Sequence, residues 1–136
     1  MTEEEKDLLL KDLCARLPYG VKAIAKTHKG ENVGKIISVS TKNNIILGEL
    51  YNGKECFWLD YGCFKPYLRP MTSMNKEEKA IYTNYKIVVR GLGIVFEYNL
   101  DFVTEWLLKH HFDYRGLIEK GLAIEAPEGM YDTKTE

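Results

Sequence analysis

The dipeptide Asn52-Gly53 constrains the fold of this chain most, because it stands between two runs of β-prone residues. Both residues tolerate the positive φ angles of a type I′ turn, so the pattern is typical of a tight β-hairpin. Other turn-forming segments divide the residues before it in the same way. Together they predict an antiparallel meander of four strands, at residues 21–27, 33–41, 45–51 and 54–59.

Two prolines follow the meander. Pro66 and Pro70 each remove a backbone donor and push the preceding residue toward an extended conformation. We therefore expect Lys65 to Arg69 to form a fifth strand at an edge of the sheet, or an extended strap. The predicted fold class is α+β: an N-terminal helix, a strongly bent antiparallel sheet or small SH3-like open barrel, and C-terminal helices packed on it.

The first helix is predicted at residues 3–16. Thr2 and Glu5 have the spacing of a capping box, and Leu9 and Leu13 belong to an apolar stripe broad enough to dock on a core. A second capping box, Asn75 with Glu78, predicts a helix that runs to about residue 82 or 85.

The segment after that helix has two alternatives. The β-branched run at 87–89 and the residues 94–98 favour a hairpin, whereas a continued helix is the other possibility. Further on, Asp101 is expected to be the N-cap of an amphipathic helix of about three turns. Asp113 is expected to cap a short helix at 114–120, which Gly121 ends in a Schellman-type turn with Leu122 against Leu117.

The length and composition are those of one soluble globular domain, with 136 residues, 45% hydrophobic and 29% charged. The expected single domain comprises an N-terminal helix (1–18), a β-rich part (19–71), a helix-rich part (72–130) and a frayed tail (131–136). No apolar run is as long as a membrane span, and the acidic start is not typical of a signal peptide. These features predict a cytoplasmic protein without membrane association.

The cysteines and histidines do not form a ligand pattern. Cys14, Cys56 and Cys63 are an odd number at unlike spacings, which is typical of reduced and mostly buried thiols. His110 and His111 are adjacent, so on a helix they point about 100° apart and lack the spacing of helical zinc ligands. We expect one of them to pack near a helix C-terminus, where partial positive charge is favoured. No metal or cofactor is predicted.

Catalytic signatures are also missing from the sequence. Asp101 and Glu105 are explained by the first turn of a helix, and the segment 90–93 lacks the third glycine of a phosphate-binding loop. No Ser, Cys or Thr stands in a recognisable nucleophile motif. The chain is therefore predicted not to be an enzyme.

Basic and aromatic residues concentrate in the β-rich part. The net charge of the chain is −1, yet residues 20–70 contain eight basic and four acidic residues. Exposed aromatic side chains beside cations stack bases or dock protein chains. The candidate surface for a protein partner or nucleic acid consists of Lys42, Lys54, Trp58, Lys65, Tyr67 and Arg69.

Each part of this surface also has a structural interpretation. Trp58 is a large aromatic residue of the kind that is usually buried, so the N-terminal helix or the back half of the chain can cover it. Lysines on the solvent face of edge strands prevent edge-to-edge aggregation. Nucleic-acid sites also carry more arginine than this segment, where Arg69 stands alone.

Three blocks of the sequence resemble one group of proteins. MTEEEKDLLLKDLCARLPYGVK at the start, KPYLRPMTSMNKEEK in the middle and HHFDYRGLIEKGLAIEAPEGMY near the end cover about half of the chain. They resemble small uncharacterised proteins of Bacteroides-type gut bacteria, often associated with prophage or other mobile DNA. The resemblance implies a bacterial, cytoplasmic protein with a constant frame and a variable β-rich part, and it implies no activity.

Two functions from different classes follow as hypotheses. The first is a non-catalytic interaction module that binds a protein partner or a second copy of itself through the Trp58 and Tyr67 side of the sheet. The alternative is a small nucleic-acid-binding domain that uses the basic, aromatic β-rich segment, with affinity that falls steeply with salt. A hydrolase or transferase is third and requires a deep pocket with titratable groups.

Overall fold

The computed structural model of the protein describes residues 2–27, 30–40, 45–50, 55–58, 64–92 and 96–131. The helices in these ranges are α1 (Glu3–Arg16), α2 (Lys76–Leu92) and α3 (Phe96–Lys109). The strands are β1 (Lys22–Thr27), β2 (Gly30–Ser40), β3 (Ile45–Leu50), β4 (Glu55–Trp58), β5 (Phe64–Leu68) and β6 (Ile124–Glu125). The predicted α+β class and the N-terminal helix are therefore confirmed.

The sheet begins with the predicted meander. β1 to β4 are antiparallel, each strand pairing with the next, and β5 returns to lie antiparallel to β1. In the described part of the chain the strand order is β4-β3-β2-β1-β5-β6, with β6 parallel to β5, so the sheet is open and mixed. The register of β2 against β3 shifts between Ile36 and Ser38, and a bulge of this kind bends a strand.

β5 lies inside the sheet, which corrects the prediction of an edge strand. Its first residues pair with β1, where Pro66 lies opposite Ala23, and its last two residues pair with β6. The β6 pairing starts at Tyr67, so Pro66 has no β6 partner. An interior strand accommodates the proline here because its second neighbour begins one residue later.

Both predicted capping boxes are confirmed. The Glu5 backbone N–H donates to Thr2 Oγ1 at 3.1 Å, and the Thr2 N–H donates to Glu5 Oε1 at 3.0 Å. The Glu78 N–H donates to Asn75 Oδ1 at 2.8 Å, and the Asn75 N–H donates to Glu78 Oε1 at 3.0 Å. Hydrogen bonds from Thr2 also lower the pKa of Glu5. These caps satisfy backbone donors that a helix start leaves unpaired.

Of the two alternatives after residue 85, the continued helix is correct and the hairpin is wrong, because α2 runs to Leu92. The β-branched residues at 87–89 cost a helix only about a few tenths of a kcal/mol each, whereas each added residue forms one more backbone hydrogen bond. α3 begins at Phe96, so the N-cap predicted at Asp101 is also wrong.

Asp113 caps backbone N–H groups as predicted, but the predicted helix does not follow it. Its carboxylate accepts from the backbone N–H groups of Leu117 and Ile118, both at 2.9 Å, but residues 114–121 form turns. The Leu122 N–H donates to the Leu117 carbonyl at 2.9 Å and the Gly121 N–H to the Ile118 carbonyl at 3.1 Å, with Gly121 at φ 74°. This is the Schellman pattern, which needs only one turn of backbone and no complete helix.

Two groups of buried apolar residues pack the described elements together. The larger joins α1, the inner face of the sheet and residues 117–123, and it includes the fully buried Leu9, Leu13, Ile36, Phe64, Leu68 and Leu117. The smaller contains Met74, Leu107 and Phe112, with Tyr82 and Trp106 packed against it. The corner at residues 110–113, which follows α3, contributes Phe112 to the smaller group and accepts a hydrogen bond from Arg16 of α1.

Candidate functional site

The outer face of the sheet is defined by the alternation along β5. Phe64, Pro66 and Leu68 are buried, whereas Lys65 and Tyr67 are only partly buried. Successive residues of a strand point to opposite faces, so Lys65 and Tyr67 lie on the face away from the core.

The strand register brings two further lysines to this face. Lys22 of β1 lies directly opposite Lys35 of β2, and Ile24 lies between Val33 on one side and Lys65 on the other. Lys35 is exposed, Lys22 and Val33 are partly buried, and Ile24 is buried. We name this surface the basic face and define it as Lys22, Ile24, Val33, Lys35, Lys65 and Tyr67.

The predicted candidate surface divides into three parts. Lys65 and Tyr67 are brought together on the basic face, and Lys42 and Lys54 lie outside the described residues. Trp58 ends β4, and three strands separate β4 from β5, which corresponds to about 19 Å along a sheet with a strand spacing of about 4.8 Å. Sequence reasoning missed Lys22 and Lys35, because only the strand register shows that they face Lys65.

Arg69 is not on a surface for a partner, which corrects its inclusion in the candidate set. It is 8% exposed, and its Nη1 and Nη2 donate to the two carboxylate oxygens of Glu78, each at 2.7 Å. Glu78 is fully buried, and burial raises the pKa of its carboxyl group. Hydrogen bonds from Arg69 and from the Asn75 backbone outweigh burial, so the pKa lies below its ordinary value.

Two arginines hold the backbone of the corner at residues 110–113. Arg69 exchanges backbone hydrogen bonds of 2.8 Å with His111 and Asp113, and its side chain donates to the His110 carbonyl at 3.3 Å. Arg16 donates to the Phe112 carbonyl at 2.7 Å, and its Nε donates to Asp12 at 2.6 Å in a second fully buried ion pair. The two arginine side chains therefore hold the backbone of residues 110–113 in place.

His111 lies in this corner and combines a left-handed backbone conformation with a buried side chain. Its φ angle is 64°, its side chain is buried, and its ring stacks on Tyr131 with 3.7 Å between the ring centroids. Nδ1 has no hydrogen-bond partner in the described part of the chain. Burial, together with the nearby charges of Arg16, Arg69 and Lys22, lowers the pKa of His111 to about 3. His111 therefore packs just after the C-terminus of α3, as predicted for one of the two histidines, but its imidazole ring is neutral.

Residues 126–131, which we name the strap, cross the ends of β1 and β5. The Ala126 N–H donates to the Leu68 carbonyl at 2.8 Å. The Tyr131 hydroxyl accepts from the Lys22 N–H at 2.8 Å and donates to the Tyr67 carbonyl at 2.7 Å. Tyr131 is 7% exposed, so the prediction that the frayed tail begins at this residue is wrong.

The Tyr131 hydroxyl is expected to stabilise the fold measurably. Tyr131→Phe removes the acceptor of a partly buried N–H group and should lower the free energy of unfolding by about 1–2 kcal/mol in urea titrations. Tyr114→Phe is the matched control, because the Tyr114 hydroxyl is buried without a partner among the described residues. An equal loss in both variants would contradict the assigned role of the Tyr131 hydrogen bonds.

A cavity of about 510 Å³ lies between the strap and the connection from β5 to α2. Its walls include Arg69, Pro70 and Ser73 on one side and Glu125, Pro127 and Glu128 on the other. The size is within the range of small-ligand sites. The cavity adjoins one lysine of the basic face, because the Lys22 ammonium donates to the Met130 carbonyl of the strap at 2.9 Å and lies over the ring of Tyr131, which lines the cavity.

The described residues contain a free thiol but no cluster of metal-binding side chains. No group of three or more His, Cys, Asp or Glu residues in the described ranges is placed to hold a metal ion. Cys14 is a free and exposed thiol, so the burial predicted for most of the three cysteines does not extend to it. No helix within the described ranges combines the length and apolar character needed to cross a bilayer.

Comparisons of the chain with protein-family models, with curated proteins and with solved structures found no match.

Proposed function

We propose that the protein is a non-catalytic interaction module that binds an acidic protein partner through the basic face. The observation that carries this proposal is the convergence of Lys22, Lys35 and Lys65 around Ile24 and Val33. An apolar centre with a charged rim is the usual composition of a protein interface. Cationic groups at the rim favour a partner that carries carboxylates.

The position of these lysines within the sheet supports a role in binding. Lysines that protect a sheet from aggregation lie on edge strands, but β1 and β2 each have a neighbouring strand on both sides, and β5 has β6 beside it from Tyr67 onward. Lys22 and Lys35 are also directly opposite each other, and like charges in that position destabilise a sheet, although Glu49 of β3 lies opposite Lys35 on its other side. The Lys22 ammonium also donates to the Met130 carbonyl at 2.9 Å, which leaves Lys35 and Lys65 as the described lysines of this face for an acidic group.

The buried charges support the non-catalytic part of the proposal. Asp12 pairs with Arg16, and Glu78 pairs with Arg69, so these groups serve helix ends and the corner at 110–113. A catalytic acid or base would instead reach a substrate in a cleft.

We further propose that the sheet forms an SH3-like open barrel. β2 pairs with β1 through its first half and with β3 through its second half, and the bulge after Ile36 lies near the change of partner. β5 then returns to β1, which extends the sheet at the end opposite to β4. This arrangement favours a sheet that curls, so that the basic face becomes the convex surface of the barrel.

The test uses defined probes and a matched pair of variants. Fluorescein-labelled poly-L-glutamate is titrated with the protein at low and moderate salt, with fluorescence anisotropy as the readout. We expect Lys35→Gln/Lys65→Gln to weaken binding at least tenfold, equivalent to about 1.4 kcal/mol. Lys76→Gln/Lys79→Gln removes two exposed lysines of α2 and should change the affinity less than about twofold.

The same titrations with labelled single-stranded DNA, duplex DNA and RNA test the second candidate function. Nucleic-acid binding is favoured by the presence of Tyr67 beside the lysines, since aromatic rings on a basic sheet stack bases. Salt-sensitive binding of nucleic acid, lost in Lys35→Gln/Lys65→Gln without binding of poly-L-glutamate, would put this candidate first. If neither poly-L-glutamate nor nucleic acid binds at low salt, the basic face is not the binding surface. The same conclusion follows if both pairs of variants lose affinity equally.

A further inference from the structure

We infer that the strap is an autoinhibitory element, which withholds Lys22 from the acidic partner of the basic face until the strap is displaced. This regulation rests on the proposed function, because it controls the same site. Three features of the strap support it. The strap occupies the Lys22 ammonium, it is attached chiefly at its two ends, and its last residue covers a buried polar group that lacks a partner in the described part of the chain.

The strap contacts the ammonium group of Lys22 in two ways. Nζ donates to the Met130 carbonyl at 2.9 Å and lies 5.6 Å from the centroid of the Tyr131 ring. The carbonyl takes one of the three donors of the ammonium, and the aromatic face attracts its charge. Lys22 is partly buried, whereas Lys35 directly opposite it on β2 is exposed. Of these two facing lysines, the strap therefore withdraws one from the surface that a partner contacts.

The Tyr131 hydroxyl attaches the strap to the same strands. It accepts from the Lys22 N–H at 2.8 Å and donates to the Tyr67 carbonyl at 2.7 Å. Both of these residues belong to the basic face, so the anchor of the strap and the proposed site share part of their backbone. Displacement of the strap thus changes the site directly.

The strap has little buried surface between its two ends. At one end the Ala126 N–H donates to the Leu68 carbonyl at 2.8 Å, and at the other end Tyr131 is buried. Residues 127–129 between them are exposed. The two groups of buried apolar residues, as far as the structure describes them, include no residue of the strap. Segments of this kind open at a lower free-energy cost than the core, so the strap can leave the sheet while both groups stay packed.

The closed strap also keeps a polar atom out of water. The Tyr131 ring stacks on the ring of His111, whose Nδ1 is buried without a hydrogen-bond partner among the described residues. A buried polar atom without a partner costs free energy, and removal of Tyr131 opens one side of this ring to water. The gain offsets part of the contacts that are lost on opening, which suits the strap to reversible displacement.

The partner that displaces the strap follows from the charge of the acceptors. Met130 offers Lys22 a neutral carbonyl oxygen, whereas an acidic partner offers carboxylates. A full negative charge attracts the ammonium group more strongly than a carbonyl dipole does. A partner with several neighbouring carboxylates can therefore engage Lys35 and Lys65 and then take Lys22 from the strap. The strap thus selects for clustered acidic groups over single ones.

The first test measures whether the strap holds Lys22, and it needs no partner. The full chain is treated with sulfosuccinimidyl acetate, and mass spectrometry gives the acetylation rate of each lysine. We expect Lys22 to react at least fivefold more slowly than Lys35 in the wild type. Gly129→Val and Tyr131→Ala should each raise the Lys22 rate at least threefold and leave the Lys35 rate unchanged.

The two strap variants act through different groups. Gly129 has a φ angle of 83° and open space around its Cα, so valine strains only the backbone of the turn that presents the Met130 carbonyl. Gly116→Val is the matched control, because Gly116 has a φ angle of 73°, equally open surroundings and a position outside the strap. Equal rates for Lys22 and Lys35 in the wild type, or no rise in either strap variant, would overturn the inference.

The second test measures inhibition, with fluorescein-labelled poly-L-glutamate at low salt and circular dichroism as the check on folding. Gly129→Val and Tyr131→Ala should bind at least threefold more tightly than the wild type, and Gly116→Val should not. Adding Lys22→Gln to each strap variant should remove the gain, so that the double variant binds like Lys22→Gln alone.

The outcomes separate the inhibition from the proposed function. If poly-L-glutamate binds neither the wild type nor the strap variants, the proposed function fails and the inhibition fails with it. If the wild type binds and the strap variants bind no more tightly, only the inhibition is overturned. A gain that persists after Lys22→Gln also overturns it, because another group is then responsible.

Discussion

Glu78→Gln is expected to lower the free energy of unfolding by about 3–5 kcal/mol, because it leaves the buried Arg69 guanidinium without its counter-charge. Glutamine has nearly the same shape as glutamate, so the packing changes little. The variant also weakens the acceptor for the Asn75 N–H, which closes the capping box of α2. Urea titrations followed by circular dichroism measure the change. The effect is large because both charged groups lie out of water.

Two control variants separate the charge effect from other causes. Glu77→Gln changes an exposed carboxylate in the same turn of α2 and should cost about 0.5 kcal/mol or less. Arg69→Met/Glu78→Met removes both charges, and such replacements are often neutral or stabilising, so it should be more stable than Glu78→Gln. A loss in Glu78→Gln no greater than that in Glu77→Gln would show that the ion pair does not hold the fold.

The second large effect is a loss of stability in acid that arises from His111. Its pKa is about 3 in the folded protein and 6.5 in the unfolded chain, so between these values only the unfolded chain binds the proton. The free energy of unfolding therefore falls as the pH falls below 6.5. We expect this histidine to account for a loss of about 2 kcal/mol between pH 7 and pH 5. In this interval the carboxyl groups titrate little.

His111→Asn tests this assignment, because asparagine does not titrate and tolerates a positive φ angle. The variant should be less stable at pH 7, where the stacking on Tyr131 is lost, but its stability should depend much less on pH. His110→Asn is the control. Burial lowers the pKa of His110 as well, so this variant should lose a part of the wild-type slope, whereas His111→Asn should lose most of it. An unchanged slope in His111→Asn would refute the assignment.

The two effects have a common origin in the corner at residues 110–113. Arg16 and Arg69 donate to its carbonyl groups and keep His111 in a left-handed conformation that histidine adopts infrequently. The same cations disfavour a proton on the His111 ring. Loss of Glu78 leaves Arg69 uncompensated close to this ring, so we expect the two variants to be energetically coupled.

The local elements of the fold were predictable from the sequence because each depends on a few neighbouring residues. The Thr2–Glu5 and Asn75–Glu78 boxes form within one helical turn, and the Gly121 end of the Schellman turn needs a positive φ angle at one residue. The four-strand meander follows from short connections between β-prone runs. The helical path through residues 87–92 was not decided by local preference, because β-branched residues are compatible with both alternatives.

Sequence by itself determined the N-terminal helix, the caps and the antiparallel meander, since these arise from interactions over about four residues or across tight turns. Only the tertiary structure decided which charges are buried and which share a face. Arg69 looked like a surface cation until β5 entered the sheet and brought its side chain to Glu78, and Lys22 and Lys35 became neighbours of Lys65 through strand register. The physical reason is that burial and register depend on contacts between residues distant in the chain, which no local pattern encodes.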